Sequence, residues 1–172
     1  VATEDQEIVD DVTNNGGNAI LTSRDHKTGT DRIYEALKKI DLKGIDLIMN
    51  LQGDEPAINI EDIVNLNKKM INSKSRIGTL AAKIKDFKDL KNENIVKVIT
   101  EKNLDNDQFP EAKTFIRNSS NKDNIYHHIG IYCYSTETLE KFVKLKQSKN
   151  EIEYRLEQLR ALDNNIKINV AH

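Results

Sequence analysis

The chain has 172 residues, enough for one domain. Its 26 basic and 28 acidic residues leave a net charge of −2, which argues against a polybasic protein that binds nucleic acid or a membrane surface. A single cysteine, Cys133, excludes a disulfide framework and a zinc site made of several cysteines, and it is compatible with a reducing, cytoplasmic compartment. The apolar runs are too short to cross a bilayer, and the first residues lack the basic and apolar regions of a signal peptide.

Helical and strand-like patterns alternate along the chain. In the first half, the sequence predicts a helix over residues 4–14, a strand over 19–22, a helix from residue 31, a strand over 45–51 and a helix with Ile60, Ile63, Val64, Met70 and Ile71 on one face. In the second half, it predicts strands over 77–84, 95–100, 112–116, 126–134 and 166–171, and helices over 136–145 and 151–163. This alternation is typical of an α/β domain with a mostly parallel sheet flanked by helices.

Both ends of the chain interrupt predicted elements. Val1 stands at the end of an apparent strand, His172 closes another, and there is no initiator Met. We therefore expect residues 1–172 to form a single domain that is a fragment of a longer enzyme.

The first of four segments with ligand-binding residue types is Gln52-Gly53-Asp54-Glu55-Pro56, which directly follows a nearly continuous apolar strand. Ligands of open α/β sheets bind beyond the carboxyl ends of the strands. A carboxylate placed there, such as Asp54, suits Mg²⁺, which prefers hard oxygen ligands. An ordinary strand-to-helix turn contains the same residue types, so both interpretations remain open.

The second segment, residues 25–32, combines hydroxyls, a glycine and cationic side chains at the start of a predicted helix. Backbone amides and the helix dipole attract anions at such a position. A capped helix start within a surface loop explains the segment equally well, with Asp31 as the N-cap or as an acid of the first turn.

The third and fourth segments lie in the second half of the chain. Strand alternation places Tyr126, His128, Gly130, Tyr132 and Tyr134 on one face of the strand over 126–134, and His127 with Cys133 on the opposite, core-like face. The first face could bind a polyhydroxylated ligand, because it offers hydrogen-bond donors and a flat floor. Alternatively, it forms a small aromatic core of its own. In the predicted helix over 151–163, the buried stripe is Ile152, Leu156 and Leu159. Beside that stripe, Glu157 and Gln158 either reach a ligand or belong to a solvated face.

Together and in this order, these segments resemble the 3-deoxy-manno-octulosonate (Kdo) cytidylyltransferases, also called CMP-Kdo synthetases. The resemblance covers essentially the whole chain. The matching segments are residues 1–5, 25–32, 50–56, 79–81, 96–98, 128–132 and 156–160. It implies a nucleotide-diphospho-sugar transferase fold, which is Rossmann-like and here incomplete.

The resemblance also implies a function. The family joins CTP and Kdo to give CMP-Kdo and pyrophosphate, with Mg²⁺ as cofactor, for lipopolysaccharide biosynthesis, and it forms homodimers. Asp54 would then be a Mg²⁺ ligand, Gln52 would lie near sugar and nucleotide, and Arg117 could pair with the sugar's carboxylate. The cytidine side would be lined by Arg24, Thr28, Gly29 and Thr30, and the sugar would contact His128, Tyr132, Glu157 and Gln158.

The chain departs from the family pattern at several places. The family's N-terminal strand with its cationic phosphate loop, and a C-terminal segment with a further metal carboxylate, have no counterpart. After Arg117 the chain reads Asn118-Ser119-Ser120-Asn121, where the family has Ala and Ile-Pro. We therefore expect these 172 residues by themselves to be weakly active or inactive. Two alternatives remain: a cytidylyltransferase for another sugar acid such as sialic acid, and a non-catalytic fragment that binds sugar or dimerises.

Overall fold

The computed structural model describes residues 1–40, 43–53, 58–104, 108–120 and 123–172. Its strands are β1 (Ala2–Thr3), β2 (Ile20–Leu21), β3 (Leu47–Asn50), β4 (Ile77–Ala82), β5 (Lys97–Thr100), β6 (Ala112–Ile116), β7 (Ile125–Ser135) and β8 (Ile168–Ala171). Its α-helices are α1 (Gln6–Asn14), α2 (Gly29–Lys38), α3 (Ile60–Ser73), α4 (Thr136–Phe142), α5 (Lys149–Tyr154) and α6 (Leu159–Asp163), with a 3-10 helix over Phe87–Lys91. The α/β class with helices around a central sheet is thereby confirmed.

The sheet is organised around β7. Its strand order is β6-β5-β7-β4-β8, and β3 also pairs with β7. β4 follows one edge of β7, while β5 and β3 share the other edge, β5 along residues 125–127 and β3 along residues 132–135. The two strands on that shared edge separate near the middle of β7, which leaves a gap beside residues 128–131.

The prediction of a mostly parallel sheet is wrong. Within the described residues, β7 runs antiparallel to β3, β4 and β5, and β5 runs antiparallel to β6. Only the β4–β8 and β1–β2 pairs are parallel there. The long apolar runs indicate strands that are covered on both faces, and such runs carry no information on strand direction.

Two clusters of buried side chains cover the two faces of the sheet. On one face, Tyr132, Tyr134 and Phe142 belong to the larger cluster, which also includes residues of α4 and α6. On the other face, Leu66 and Met70 of α3 pack with residues of the sheet. Cys133, expected to be a buried small hydrophobe, belongs to this second cluster and has no exposed surface.

The buried face of α3 differs from the predicted one. Leu66 and Met70 are buried, whereas Ile60 and Ile71 are exposed. The absence of a side chain at Gly78 explains which residues approach the sheet, because a Cβ there would lie 2.6 Å from Met70 Sδ and 3.0 Å from Leu66 Cδ1. A local sequence pattern does not reveal this non-local fit between helix and strand.

Candidate active site

A polar cavity of about 300 Å³ opens beside β7 where β3 and β5 separate. Its polar lining residues come from five parts of the chain: Thr30; Gln52; Asn94; His127, His128, Tyr132 and Tyr134 of β7; and Glu157 with Gln158. The volume is at the lower end of the range for small-molecule sites, so it suits one sugar-sized ligand. The structure therefore brings together most of the residues predicted from the third and fourth segments.

A β-bulge in β7 shapes one wall of this cavity. The register of β4 against β7 shifts between Thr79 and Leu80, which pair with Tyr132 and Ile129 respectively. The two extra residues on β7 include Gly130. A Cβ at Gly130 would lie 3.1 Å from Gln52 Oε1, so the missing side chain leaves room for the Gln52 amide. Gln52 thus reaches over the strand from the segment that follows β3.

His128 and Tyr132 are buried in the floor of the cavity, and burial keeps both of them neutral. Burial, with a smaller contribution from His127, lowers the pKa of His128 to about 3. Burial also raises the pKa of Tyr132 well above its ordinary value. Their ring centroids lie 5.4 Å apart, and Phe115 contacts the His128 ring edge-on at 5.1 Å. The floor therefore offers neutral hydrogen-bonding groups on a rigid aromatic base.

The predicted helix over 151–163 is broken, and the break creates part of the site. Arg155 adopts the left-handed conformation (φ 54°, ψ 48°) and ends α5, as C-terminal residues of helices often do. Glu157 therefore lies in a turn between α5 and α6 rather than on a helix face. Leu156 and Leu159 are buried as expected, whereas Ile152 is exposed, contrary to the predicted stripe.

Glu157 carries the cavity's carboxylate. Its Oε2 accepts a hydrogen bond from Thr30 Oγ1 at 3.0 Å, and its Oε1 lies 3.7 Å from an Arg160 nitrogen. Oε1 is buried and has no hydrogen-bond partner within the described residues. Burial is the main reason why the pKa of Glu157 is raised, while hydrogen bonds from Thr28 and Thr30 oppose it. An unpaired buried oxygen of this kind is costly unless a ligand donates to it.

Arg160 is held in place behind Glu157. Its guanidinium donates two hydrogen bonds, at 2.8 and 2.5 Å, to the Glu151 carboxylate, and both side chains are buried. It also lies 4.7 Å from the centre of the Phe142 ring. Because Glu151 neutralises Arg160, this cation only partly offsets the charge of Glu157.

The start of α2 approaches the cavity from the other side. Thr28, not Asp31, is the N-cap, and its hydroxyl accepts from the Asp31 amide at 3.2 Å. Thr30 is buried and lines the cavity. The other residues predicted for the cytidine side are Arg24 in the preceding loop, Thr28 at the N-cap and Gly29 at the first position of α2. They do not line the cavity, and Arg24 and Gly29 are exposed.

The structure does not bring Arg117 into this cavity. The Arg117 guanidinium donates to the backbone carbonyls of Tyr154 at 3.2 Å, Glu93 at 3.0 Å and Arg155 at 3.2 Å. It lines a neighbouring cleft that shares only Asn94 with the cavity. Among the described residues that line the cavity there is no Lys or Arg.

Asp54, the predicted metal ligand, lies outside the described residues. Within the part of the chain that the structure describes, no group of three or more His, Cys, Asp or Glu side chains could hold a metal ion.

One residue that lines the cavity was not predicted, and another was predicted on the wrong face. The first is Asn94, which lies in a turn and gives no local signal. His127 was assigned to the core face of β7, but it is exposed and lines the cavity. The alternation itself holds, because Ile129, Ile131 and Cys133 pack in the second cluster as predicted, whereas His127 lies outside that cluster.

The fold and the cavity are those of an α/β nucleotidyltransferase, and comparison with known proteins agrees. The sequence model of the family described as Cytidylyltransferase matches residues 1–168. The 3-deoxy-manno-octulosonate cytidylyltransferases of Thermodesulfovibrio yellowstonii and Bartonella henselae are each 44% identical to the chain, which spans 71% and 70% of their lengths and is itself 99% covered. The chain belongs to this family of cytidylyltransferases.

A solved structure supports the same assignment. It is a CMP:2-keto-3-deoxy-manno-octonic acid synthetase complexed with CTP, and it is 33% identical to the chain with a TM-score of 0.85. The match covers 99% of this chain and 69% of that one. Across the described residues, no helix is long and apolar enough to cross a membrane.

Proposed function

We propose that the chain transfers the cytidylyl group of CTP to Kdo, giving CMP-Kdo and pyrophosphate for lipopolysaccharide biosynthesis. The names of its relatives and the CTP complex of a similar protein support this proposal. The observation that carries it is the cavity, which gathers Gln52, His128, Tyr132 and Glu157 around one space. The resemblance to the family implies that His128, Tyr132 and Glu157 contact the sugar and that Gln52 lies near sugar and nucleotide.

The chemistry of the cavity suits a sugar. Its floor is neutral at ordinary pH because burial lowers the pKa of His128 and raises that of Tyr132. Gln52 and Gln158 add amides that both donate and accept, and Glu157 Oε1 is an acceptor with no hydrogen-bond partner among the residues that the structure describes. Such a mixture matches the hydroxyl groups of a polyhydroxylated ligand better than the charges of a triphosphate.

The proposed reaction needs no enzyme nucleophile. The anomeric hydroxyl of the sugar attacks the α-phosphate of CTP in line, a new P–O bond forms, and the bond to pyrophosphate breaks. The chain's residues contribute by binding and orienting the two substrates. Glu157 is well placed to couple the two halves, because it bonds to Thr30 of the predicted nucleotide side and faces the predicted sugar space.

For the cofactor we propose Mg²⁺, with Asp54 as the protein ligand. The support is chemical: a carboxylate next to a triphosphate suits a hard divalent cation, and Asp54 follows Gln52 by two residues. When bound, the ion would neutralise phosphate charge. Pyrophosphate release should therefore stop on chelation and return with added Mg²⁺, and Asp54→Asn should abolish that return.

Pyrophosphate release and calorimetry test the proposal together. The purified chain is supplied with CTP and Mg²⁺, and with Kdo, with a sialic acid or with neither. Release that requires Kdo supports the proposal, even at the low rate expected for this chain. Release that requires the sialic acid instead would favour the related cytidylyltransferase. Binding of Kdo without CTP binding or release would favour a sugar-binding fragment.

A homodimer and a cytoplasmic location belong to the same proposal. The resemblance to the family supports the dimer, and light scattering on the purified chain measures it directly. The free, buried thiol of Cys133 is compatible with a reducing compartment.

A further inference from the structure

Thr79 lies at the centre of a buried hydrogen-bond cluster between β4 and β7. It has no exposed surface. Its hydroxyl lies 2.7 Å from the Ile131 carbonyl oxygen, 3.3 Å from the Ile129 carbonyl oxygen and 3.0 Å from His128 Nε2. All three partners belong to residues 128–131 of β7, so one side chain of β4 contacts three polar groups at or beside the bulge.

Counting protons assigns the direction of each bond. A threonine hydroxyl has one proton to donate and lone pairs to accept with, whereas a carbonyl oxygen only accepts. The Thr79 proton is therefore directed to the carbonyls, chiefly to Ile131 at the shorter distance. The contact with His128 can then be a hydrogen bond only if Nε2 carries a proton and donates it to Thr79.

The protonation state of His128 completes the assignment. A neutral imidazole has one N–H, so a proton on Nε2 leaves Nδ1 with a free lone pair. The ring is neutral at ordinary pH, because burial lowers its pKa to about 3. Any ligand that bonds to this ring must consequently do so at Nδ1, and it must be the donor.

We propose that Thr79 is a positioning residue that fixes His128 in the Nε2–H tautomer, so that Nδ1 accepts a hydrogen bond from a hydroxyl group of the bound sugar. The sugar half of this inference rests on the proposed function. A carboxylate cannot donate to Nδ1, so the sugar's carboxylate lies elsewhere. His128 is also too weakly basic to remove a proton from the attacking hydroxyl, which makes it a specificity residue rather than a general base.

Nitrogen NMR of the histidine rings tests the tautomer without any substrate. The chain has four histidines, and His128→Gln assigns the signals of His128. The expected result is a proton bonded to Nε2 and none on Nδ1, unchanged between neutral and mildly acidic pH. A proton on Nδ1, or titration of the ring near neutral pH, would overturn the proposal.

Two substitutions of Thr79 test its effect on the sugar. Thr79→Val keeps the shape but removes the hydroxyl, whereas Thr79→Ser keeps the hydroxyl. Calorimetry should show ~10-fold weaker Kdo binding for the valine variant, with CTP binding unchanged, because one positioned hydrogen bond is lost. The serine variant should bind Kdo nearly as the native chain does, and should keep the Nε2–H signal.

The outcomes separate this inference from the proposed function. Equal losses of Kdo and CTP affinity in Thr79→Val would indicate a merely structural role and overturn the proposal, as would no loss at all. Should the native chain fail to bind Kdo, the proposed function fails together with the sugar half of the inference. The NMR result still tests by itself whether Thr79 fixes His128 in the Nε2–H tautomer.

Discussion

At the scale of single residues, the site depends on the missing Cβ of Gly130. Gly130 has no side chain, and the Gln52 amide occupies the space. Gly130→Ala would place a Cβ 3.1 Å from Gln52 Oε1, which is closer than ordinary contact. Because Gln52 is exposed and its side chain is flexible, the amide should swing away at little cost in stability.

The expected result for Gly130→Ala is therefore a loss of Kdo affinity of ~10-fold with a thermal midpoint within a few degrees of the native value. Calorimetry and thermal unfolding measure the two effects. Gly78→Ala is the matched contrast, since its Cβ would lie 2.6 Å from Met70 Sδ in the core and should cost ~1–3 kcal/mol of stability. Unchanged Kdo binding in Gly130→Ala would contradict a role for Gln52 at the sugar.

At Glu157, by contrast, binding and stability oppose one another. Burial raises its pKa, so its charged form is disfavoured in the folded chain. For an acid whose pKa rises on folding, stability is lost as pH increases above the ordinary carboxyl range. Glu157→Gln removes that charge and keeps the shape, so it should raise the thermal midpoint at neutral pH by ~2–4 °C.

The same substitution should weaken Kdo binding by ~10–100-fold, because a charged acceptor contributes more to a hydrogen bond than an amide oxygen. The gain in stability should disappear at a pH below the ordinary carboxyl pKa, where native Glu157 is also neutral. Thermal unfolding at two pH values and calorimetry at neutral pH measure these effects. A lower thermal midpoint at neutral pH would show that the charge of Glu157 is stabilising.

At the scale of elements, the sequence located most helices and strands but not how they meet. The strand over 112–116 was predicted with the bounds of β6, because Phe-Pro and a polar loop delimit it. The break at Arg155 was not predicted, because a non-glycine residue in the left-handed conformation has no local signal. The turn that holds Glu157 follows from that break, and the bulge at Gly130 follows from pairing with β4. Both features depend on contacts between distant parts of the chain, which the spacing of apolar residues along the sequence does not reveal.

Arg117 directly follows β6 and connects it to the turn before β5 and to the end of α5. Its guanidinium donates to the last carbonyls of α5, and the buried Lys97 Nζ donates to the Arg117 carbonyl at 2.7 Å and to the Asn92 carbonyl at 2.6 Å. Burial lowers the pKa of Lys97, as expected for an ammonium group whose partners are neutral. Lys97 therefore anchors the backbone of Arg117, and Arg117 in turn holds the end of α5 and with it the turn that carries Glu157.

Arg117→Ala should accordingly weaken binding through the turn, with a loss of stability of ~1 kcal/mol because the lost hydrogen bonds are exposed. The informative comparison uses Kdo and an analogue whose carboxylate is replaced by an amide. Equal loss of affinity for both ligands is expected if Arg117 acts through the turn. A loss confined to Kdo would instead support the direct pairing with the sugar's carboxylate that the sequence suggested. Arg117→Lys, which can reach fewer carbonyls, should fall between the native chain and Arg117→Ala.

At the scale of the whole molecule, the aromatic floor of the cavity makes stability depend on pH. His128 is neutral when folded, with a pKa of about 3, but it takes up a proton near its ordinary pKa of 6.5 when unfolded. A base whose pKa falls on folding contributes stability that is present above 6.5 and is lost as the pH falls toward 3. The free energy of unfolding should therefore fall by ~2 kcal/mol between neutral pH and pH ~5 on account of His128 alone.

Carboxyl groups with altered pKa values also contribute, so the effect of His128 is best isolated by a difference. Denaturant unfolding of the native chain and of His128→Gln at both pH values gives that difference directly. His127→Gln is the matched control, because it replaces the exposed neighbouring histidine of the same strand. The expected result is that, of the two substitutions, only His128→Gln makes the free energy of unfolding less dependent on pH above the range in which carboxyl groups titrate. If the native chain and His128→Gln lose stability in parallel, the ring takes up its proton over the same pH range in the folded and unfolded states, and burial does not keep the floor of the cavity neutral at mildly acidic pH.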